Sequence, residues 1–494
     1  MSAYIELERR FHRIAALGEA AGMLQWDMSV LMPSGGVAAR TEQLTALKLT
    51  AHEMKTAPDL LDLLEAAEGE QLEEPWQRAN LNEMRRSWVH SNAVDADLVE
   101  AMTRAGSACE MVWREARRED DYARVLPYLE EVLTLSRQVA SAKALALDCS
   151  EYEALLDQYE AGARTDRLDS LFADLATFLP EFLETVLAKQ AEMAEAIMPV
   201  GPFDTDRQRE LAQTLMSRLG FDFDSGRLDV SLHPFCGGVP GDIRITTRYT
   251  EDDFTQSLMG VLHETGHALY EMGLPKDWRY QPVGSARGMT LHESQSLLIE
   301  MQACRSREYL IFAAPLMREA FGGTGPEWEV ENLYRLYTCV KRSYIRVDAD
   351  EVTYPAHVIL RYRLERALIA GDLALRDLPE AWNDGMEDLL GVRPPDDVQG
   401  CLQDIHWYDG AWGYFPTYTM GAMAAAQLFA SAKAAEPNIP ERLSNGDFTP
   451  LLKWMRDNLH AKGSSASTDD LLEVATGRPL GTEDFKAHLK ARYG

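Results

Sequence analysis

The chain has 494 residues, is 46% apolar and carries a formal net charge of −30. The apolar share excludes a disordered chain, and the acidity argues against partners such as nucleic acid or an anionic membrane surface. By length alone two or three domains would fit.

The six cysteines, Cys109, Cys149, Cys236, Cys304, Cys339 and Cys401, are scattered and form no C-x-x-C pair. Neither a disulfide framework nor a cysteine zinc site is expected, and free thiols fit a reducing cytoplasm. Met1 to Arg13 carries Glu6, Glu8, Arg9 and Arg10 and lacks the apolar stretch of a secretory signal. No apolar run reaches the length of a membrane span. The expected location is cytoplasmic.

Ile5, Phe11, Ile14, Leu17 and Leu24 recur at helical spacing and predict a helix over residues 3–30. Pro33 to Gly36 reads as a turn, and a second helix follows at 37–55. Residues 58–195 read as helical almost throughout, with Pro58 and Asp59 in an opening first turn and Ser150 and Thr165 as N-caps. Met198 to Pro202 interrupts this run before a helix at 204–219. Leu228–Leu232 and Ile243–Tyr249 then alternate as strands do, around a loop, Pro234 to Gly241, rich in glycine and proline. This hairpin is expected either to offer a free edge to an extended peptide or to cap the helical core.

Residues 252–274 contain His263-Glu264-Thr265-Gly266-His267 among apolar residues at helical spacing, and Gly273-Leu274-Pro275 ends the run. His263 and His267 fall one turn apart on one face. Two imidazoles so placed can share a zinc ion, with Glu264 positioned to act on water there. The plainer alternative is an ordinary helix with two polar residues beside a packed face. A third ligand is needed, and a second helix at 291–300 offers Glu293 or Glu300. Glu293 is preferred because it opens its helix among polar residues. Glu300, between Ile299 and Met301, reads as a solvated face residue.

Further helices are expected at 295–322, 326–346, 351–370 and 379–390, with Gly322 to Pro326 as a linker and a break at Gly371. Residues 400–421 hold Trp407, Tyr408, Trp412, Tyr414, Phe415 and Tyr418, and the remainder to 494 is helical and polar. No clear linker divides the chain. The expectation is a mostly α fold, one helical unit over 1–494, with two lobes around a deep cleft and a small β hairpin beside the zinc helix.

Six separated motifs resemble those of the carboxypeptidase Taq family of zinc metallopeptidases. They are His233-Pro234-Phe235, Asp242-Ile243-Arg244-Ile245-Thr246, the His263–His267 motif, His292-Glu293-Ser294-Gln295, Ile345-Arg346-x-x-Ala349-Asp350, and Gly400-x-x-Gln403-Asp404-x-His406-Trp407. Trp26-Asp27, Met32-Pro33 and Gly35-Gly36 also look like the family. The resemblance implies a helical fold with a deep cleft, frequent homodimers, and release of single residues from peptide C-termini. It implies zinc, for which cobalt is a possible substitute, at His263, His267 and Glu293, and Glu264 as general base.

An exopeptidase of this kind must bind a terminal carboxylate, which arginine does through two parallel hydrogen bonds. Arg346 and Arg244 are the candidates, each with a structural alternative: an ion pair of Arg346 with Asp348 or Asp350, and of Arg244 with Asp242. His233 is a candidate for closing the cleft beyond the terminal residue. His406 and Tyr418 are candidates to donate to the oxyanion, and Asp404, Asp350 and His292 to orient ligating groups. An aminopeptidase or an oligopeptidase with the same zinc core is the first rival. Gly385-Met386-Glu387-Asp388 only superficially resembles the acidic segment an aminopeptidase uses. The second rival is a non-catalytic scaffold with a structural zinc, but such sites are usually closed by four ligands.

Overall fold

The computed structural model describes residues 2–231 and 233–494. Leu232, at the end of one predicted strand, lies outside the described residues. Among the described residues up to 191 are eight α-helices: α1 Ala3–Val30, α2 Val37–Lys55, α3 Leu60–Glu68, α4 Pro75–Asn92, α5 Ala96–Glu119, α6 Tyr122–Leu147, α7 Glu151–Leu156 and α8 Thr165–Ala191. Their starts are set by short polar side chains. Ser2, Asp95, Asp121 and Ser150 each accept a hydrogen bond from a first-turn N–H. Thr165, expected as a cap, is instead the first helical residue of α8. Its N–H is taken at 2.9 Å by Glu153 of α7, so one helix borrows its cap from the helix before.

After α9 (Thr205–Leu219) come three strands, β1 Gly226–Val230, β2 Phe235–Val239 and β3 Asp242–Thr247. β3 is central, parallel to β1 and antiparallel to β2. The segment read as a loop between two strands is therefore largely a strand itself. The antiparallel pair is β2–β3, not the two segments that alternate in sequence. Phe-Cys-Gly-Gly-Val shows no period of two, because Gly238 takes φ +86° and a Cβ there would meet the Asp242 carbonyl at 2.2 Å. The buried Leu228, Ile243 and Ile245 pack on Val261 and Ala268 of α10 (Thr255–Gly273). α1 packs against the far half of β2: a Cβ on Gly22 would stand 3.8 Å from the Gly238 carbonyl, and Trp26 lies against Gly237.

The chain continues through α11 (Gly288–Leu297), a π-helical segment at Leu298–Cys304, α12 (Arg307–Phe321) and α13 (Val330–Tyr337). The helix expected over 326–346 is cut short at Tyr337. Side chains, not helical neighbours, satisfy the backbone beyond it. Asp350 accepts from the N–H groups of Lys341, Val352 and Thr353, and Gln403 accepts from that of Arg346. This irregular stretch carries Arg346. The expected helix over 295–322 is also divided, at Arg305 and Ser306, where Ser306 caps α12. The remaining helices are α14 Tyr354–Ala370, α15 Leu378–Leu390, α16 Pro416–Ala435, α17 Ile439–Ser444, α18 Thr449–Asn458, α19 Thr468–Thr476 and α20 Glu483–Tyr493.

The largest apolar core runs from α5 to α20, and a smaller one joins Tyr4, Leu7 and Phe11 of α1 to Leu60, Leu64, Leu81 and Met84. Two glycines let backbones approach inside the large core. A Cβ on Gly266 of α10 would lie 2.4 Å from the Gln295 carbonyl oxygen of α11. A Cβ on Gly421 of α16 would lie 2.8 Å from the Glu293 side chain. α11 is thus pressed between α10 and α16, with Glu293 turned towards the histidines of α10.

Candidate metal centre

α10 carries His263 and His267 on one face, with ring centroids 5.0 Å apart. The Glu293 Oε2 atom of α11 lies 3.8 Å from Nε2 of His263 and 3.4 Å from Nε2 of His267. One ligand atom from each of the three residues lies within 4.8 Å of the others. Metal–ligand distances of about 2.0–2.2 Å place the donors of a tetrahedron roughly 3.3–3.6 Å apart, so this set fits a zinc-sized ion with one position left over.

The far nitrogen of each imidazole is also engaged. Nδ1 of His263 lies 2.9 Å from Glu300 Oε2, and Arg305 holds the other Glu300 oxygen at 2.5 Å. Nδ1 of His267 lies 2.7 Å from Nδ1 of His292, whose Nε2 lies 2.9 Å from Glu271 Oε1. Orienting partners of this kind are what ligating histidines require. Glu300 is therefore not the solvated face residue expected. It is buried, seven residues after Glu293, so the two carboxylates address opposite nitrogens of the same ring. That spacing of two helical turns was a signal present in the sequence. Burial opposes protonation of both histidines, but the carboxylates of Glu293 and Glu300 outweigh it at His263 and push its pKa up to about 10. His267 faces His292 in place of a second carboxylate and is pushed down to about 4.

A cleft of about 640 Å³ opens over these groups, lined among others by Phe235, Cys236, Glu264, Arg346, Tyr414 and Tyr418. Burial pushes Glu264 up to about 7, with His263 pulling the other way, and a cation in the site would add to that pull. A larger cavity of about 990 Å³ lies between α1 and the C-terminal end of α10, with Phe11, Gly273 and Tyr280 on its wall. It contains neither His263 nor His267, so the chemistry, not the size, marks the cleft as the candidate site.

Arg346 is buried in the cleft wall. Its Nε and Nη2 donate to Asp404 Oδ1 at 3.0 and 2.8 Å, and its Nη1 donates to the Tyr354 hydroxyl at 3.2 Å. The ion pair with Asp348 or Asp350 is not the one formed. Asp404 also accepts from Arg361 at 2.7 Å, so two guanidinium groups share one carboxylate. Burial would raise the Asp404 pKa, but Arg346 and Arg361 hold it well below the usual carboxylate range. The cluster keeps one positive charge in excess. Arg361 and Tyr354 were not singled out from sequence, and a separation of 43 residues between Arg361 and Asp404 gives no local signal.

The remaining candidates are spread more widely. Arg244 is held by Asp242 through bonds of 2.9 and 2.6 Å, and its guanidinium lies 4.4 Å from the Trp26 ring centroid. It does not line the cleft. His233 is exposed, next to the cleft residue Pro234. His406 stands behind the wall, with Nε2 3.3 Å from the Tyr418 hydroxyl. Asp350 serves the backbone turns already described.

The sequence profile of the carboxypeptidase Taq (M32) metallopeptidase family matches residues 6–493. Thermostable carboxypeptidase 1 of Thermus thermophilus is 38% identical, with 99% of this chain and 97% of that protein covered. Carboxypeptidase 1 of Bacillus subtilis is 31% identical, with 97% and 96% covered. Among solved structures, Trypanosoma cruzi metallocarboxypeptidase 1 superposes with a TM-score of 0.97 at 41% identity, covering 99% of both chains. The M32 carboxypeptidase from Deinococcus radiodurans gives 0.94 at 34%, covering 100% of this chain and 99% of that one. Fold and site thus define a metallocarboxypeptidase, a hydrolase of peptides. The chain belongs to the carboxypeptidase Taq (M32) family.

Proposed function

We propose that the protein, as one domain over 1–494, removes single residues from the C-terminal ends of peptides using zinc held by His263, His267 and Glu293. The observation that carries this reading is that one cleft holds both the three-donor set and Arg346, with its excess positive charge. Arg346 Nη1, bound only to the Tyr354 hydroxyl among the described residues, is available to a substrate carboxylate. Arg244 is already occupied by Asp242 and is read as bracing the hairpin.

Zinc supplies a Lewis acid that polarises the scissile carbonyl and makes water a better acid. Glu264 takes a proton from the attacking water onto a carboxylate oxygen and delivers it to the leaving amine nitrogen. Tyr418, held by His406, donates its hydroxyl hydrogen to the developing oxyanion. His233, exposed beside the cleft residue Pro234, is the candidate to close over the terminal residue. Family membership, the spare position in the donor set and the adjacent carboxyl support catalysis over a structural zinc site.

The test is mass spectrometry of a peptide pool incubated with metal-loaded and chelator-treated protein. A ladder shortening from the C-terminus, absent after chelation and restored by zinc, is expected. Shortening from the N-terminus, or cuts only at internal bonds, would replace this reading with an aminopeptidase or oligopeptidase.

A further inference from the structure

Outside the three ligands and Glu264, the metal centre contains a chain of polar groups that leaves the cleft in one direction. His267 Nδ1 and His292 Nδ1 are 2.7 Å apart, and His292 Nε2 is 2.9 Å from Glu271 Oε1. Glu271 lies one turn beyond His267 on α10, while His292 immediately precedes Glu293 on α11. The chain therefore ties the two ligand-bearing helices together beside the ion. Its outer end, Glu271, is on the wall of the 990 Å³ cavity, whereas His292 is on the wall of the cleft.

The direction of each hydrogen bond follows from the metal. A neutral imidazole that ligates through Nε2 carries its proton on Nδ1. His267 must then donate from Nδ1, so His292 accepts on its own Nδ1. A neutral His292 accepting there carries its proton on Nε2 and donates it to a carboxylate oxygen of Glu271. Each member has one role, and all the roles agree. Any other tautomer of His292 sets two N–H groups, or two lone pairs, against each other at one of the contacts.

We infer that His292 and Glu271 are positioning residues for the metal: Glu271 fixes the tautomer of His292, and His292 fixes the proton and ring orientation of His267. This rests on His263, His267 and Glu293 being the ligands. It assigns to Glu271, which touches neither the ion nor the substrate, a role in how tightly the ion is held.

The experiment compares zinc affinity, by competition with a chromophoric chelator, in wild type, Glu271→Ala, Glu271→Gln and His292→Phe. Losing an orienting partner typically weakens binding about 10–100-fold, which is expected for Glu271→Ala and His292→Phe. Glu271→Gln keeps an amide oxygen to accept the His292 proton and should stay within about threefold of wild type. The Co²⁺-loaded proteins report the same contrast: a changed visible absorption band for the Ala and Phe variants and an unchanged one for Gln. A purely structural role would lower thermal stability of the metal-free protein without moving affinity or the cobalt spectrum. Wild-type affinity and spectrum in both Glu271→Ala and His292→Phe would overturn the inference while leaving the ligand assignment intact. Failure of the wild type to bind zinc at one equivalent would remove both.

Discussion

Glu300 holds His263 by the nitrogen that faces away from Glu293, at 2.9 Å, and Arg305 in turn holds Glu300. A carboxylate accepting from Nδ1–H leaves Nε2 free to ligate and raises its donor strength. Glu300→Ala should lower zinc affinity by about 10–100-fold, measured by chelator competition. Unaltered affinity would mean that the packing around the ring, and not Glu300, sets its orientation.

Glu264 is the only carboxyl of the His-Glu-x-x-His motif, and it is not among the three grouped donors. Glu264→Gln should retain one equivalent of zinc while lowering kcat by about 10²–10⁴-fold or more. Metal content and single-turnover rate together check this. A variant that keeps most of its turnover would mean that another group takes the proton.

Arg346 contributes the charge left over from the Arg346–Asp404–Arg361 cluster. Arg346→Ala should reduce kcat/KM on peptides with a free C-terminus by about 10–100-fold, the scale of a charge-assisted hydrogen bond. Amidated peptides should lose far less. Arg346→Lys keeps the charge but not the Nε and Nη2 bonds to Asp404, and should lose less than Arg346→Ala. Equal losses on both substrate types would assign Arg346 to holding the fold.

Acid stability is expected to depend on Glu351. This buried carboxylate receives His488 at 2.6 Å, Arg492 at 3.1 Å and the Tyr493 hydroxyl at 2.9 Å, all from the C-terminal helix. Burial alone would raise its pKa, but the His488 and Arg492 charges outweigh it and hold the group at about 2. A depressed folded-state pKa gives stability that is complete above the unfolded value near 4.5 and is lost as pH falls towards about 2, up to roughly 3 kcal/mol. Glu351→Gln should therefore be less stable than wild type at neutral pH, with the gap closing between about pH 5 and 2. Denaturant unfolding across that range would show it, and a gap independent of pH would refute it.

The parts legible in sequence were those with local periodicity. The Ser2 cap of α1, the start of α2 after Gly36 and the stop at Gly273 before Pro275 follow from residue types within a few positions. The two imidazoles were legible because one helical turn separates them, and Glu293 because polar residues surround it, although it does not open its helix as expected: α11 begins five residues earlier, at Gly288. β2 was hidden because its two glycines replace the alternating side chains that announce a strand, and its pairing with β3 depends on a turn, not on pattern. The partner of Arg346 was missed for a different reason. Asp348 and Asp350 are near in sequence, but Asp350 is consumed by backbone N–H groups, and the chain brings Asp404 across from 58 residues away.

The contact between Gly266 and the backbone of α11 means that the two unspecified positions of the motif are not interchangeable filler. Thr265 is fully enclosed and bonds back to the Val261 carbonyl, and at Gly266 even a methyl group would wedge α10 away from the segment bearing Glu293. A designer grafting His-Glu-x-x-His onto another helix would copy the donors and still fail to gather them, unless the bare spot between them were carried along.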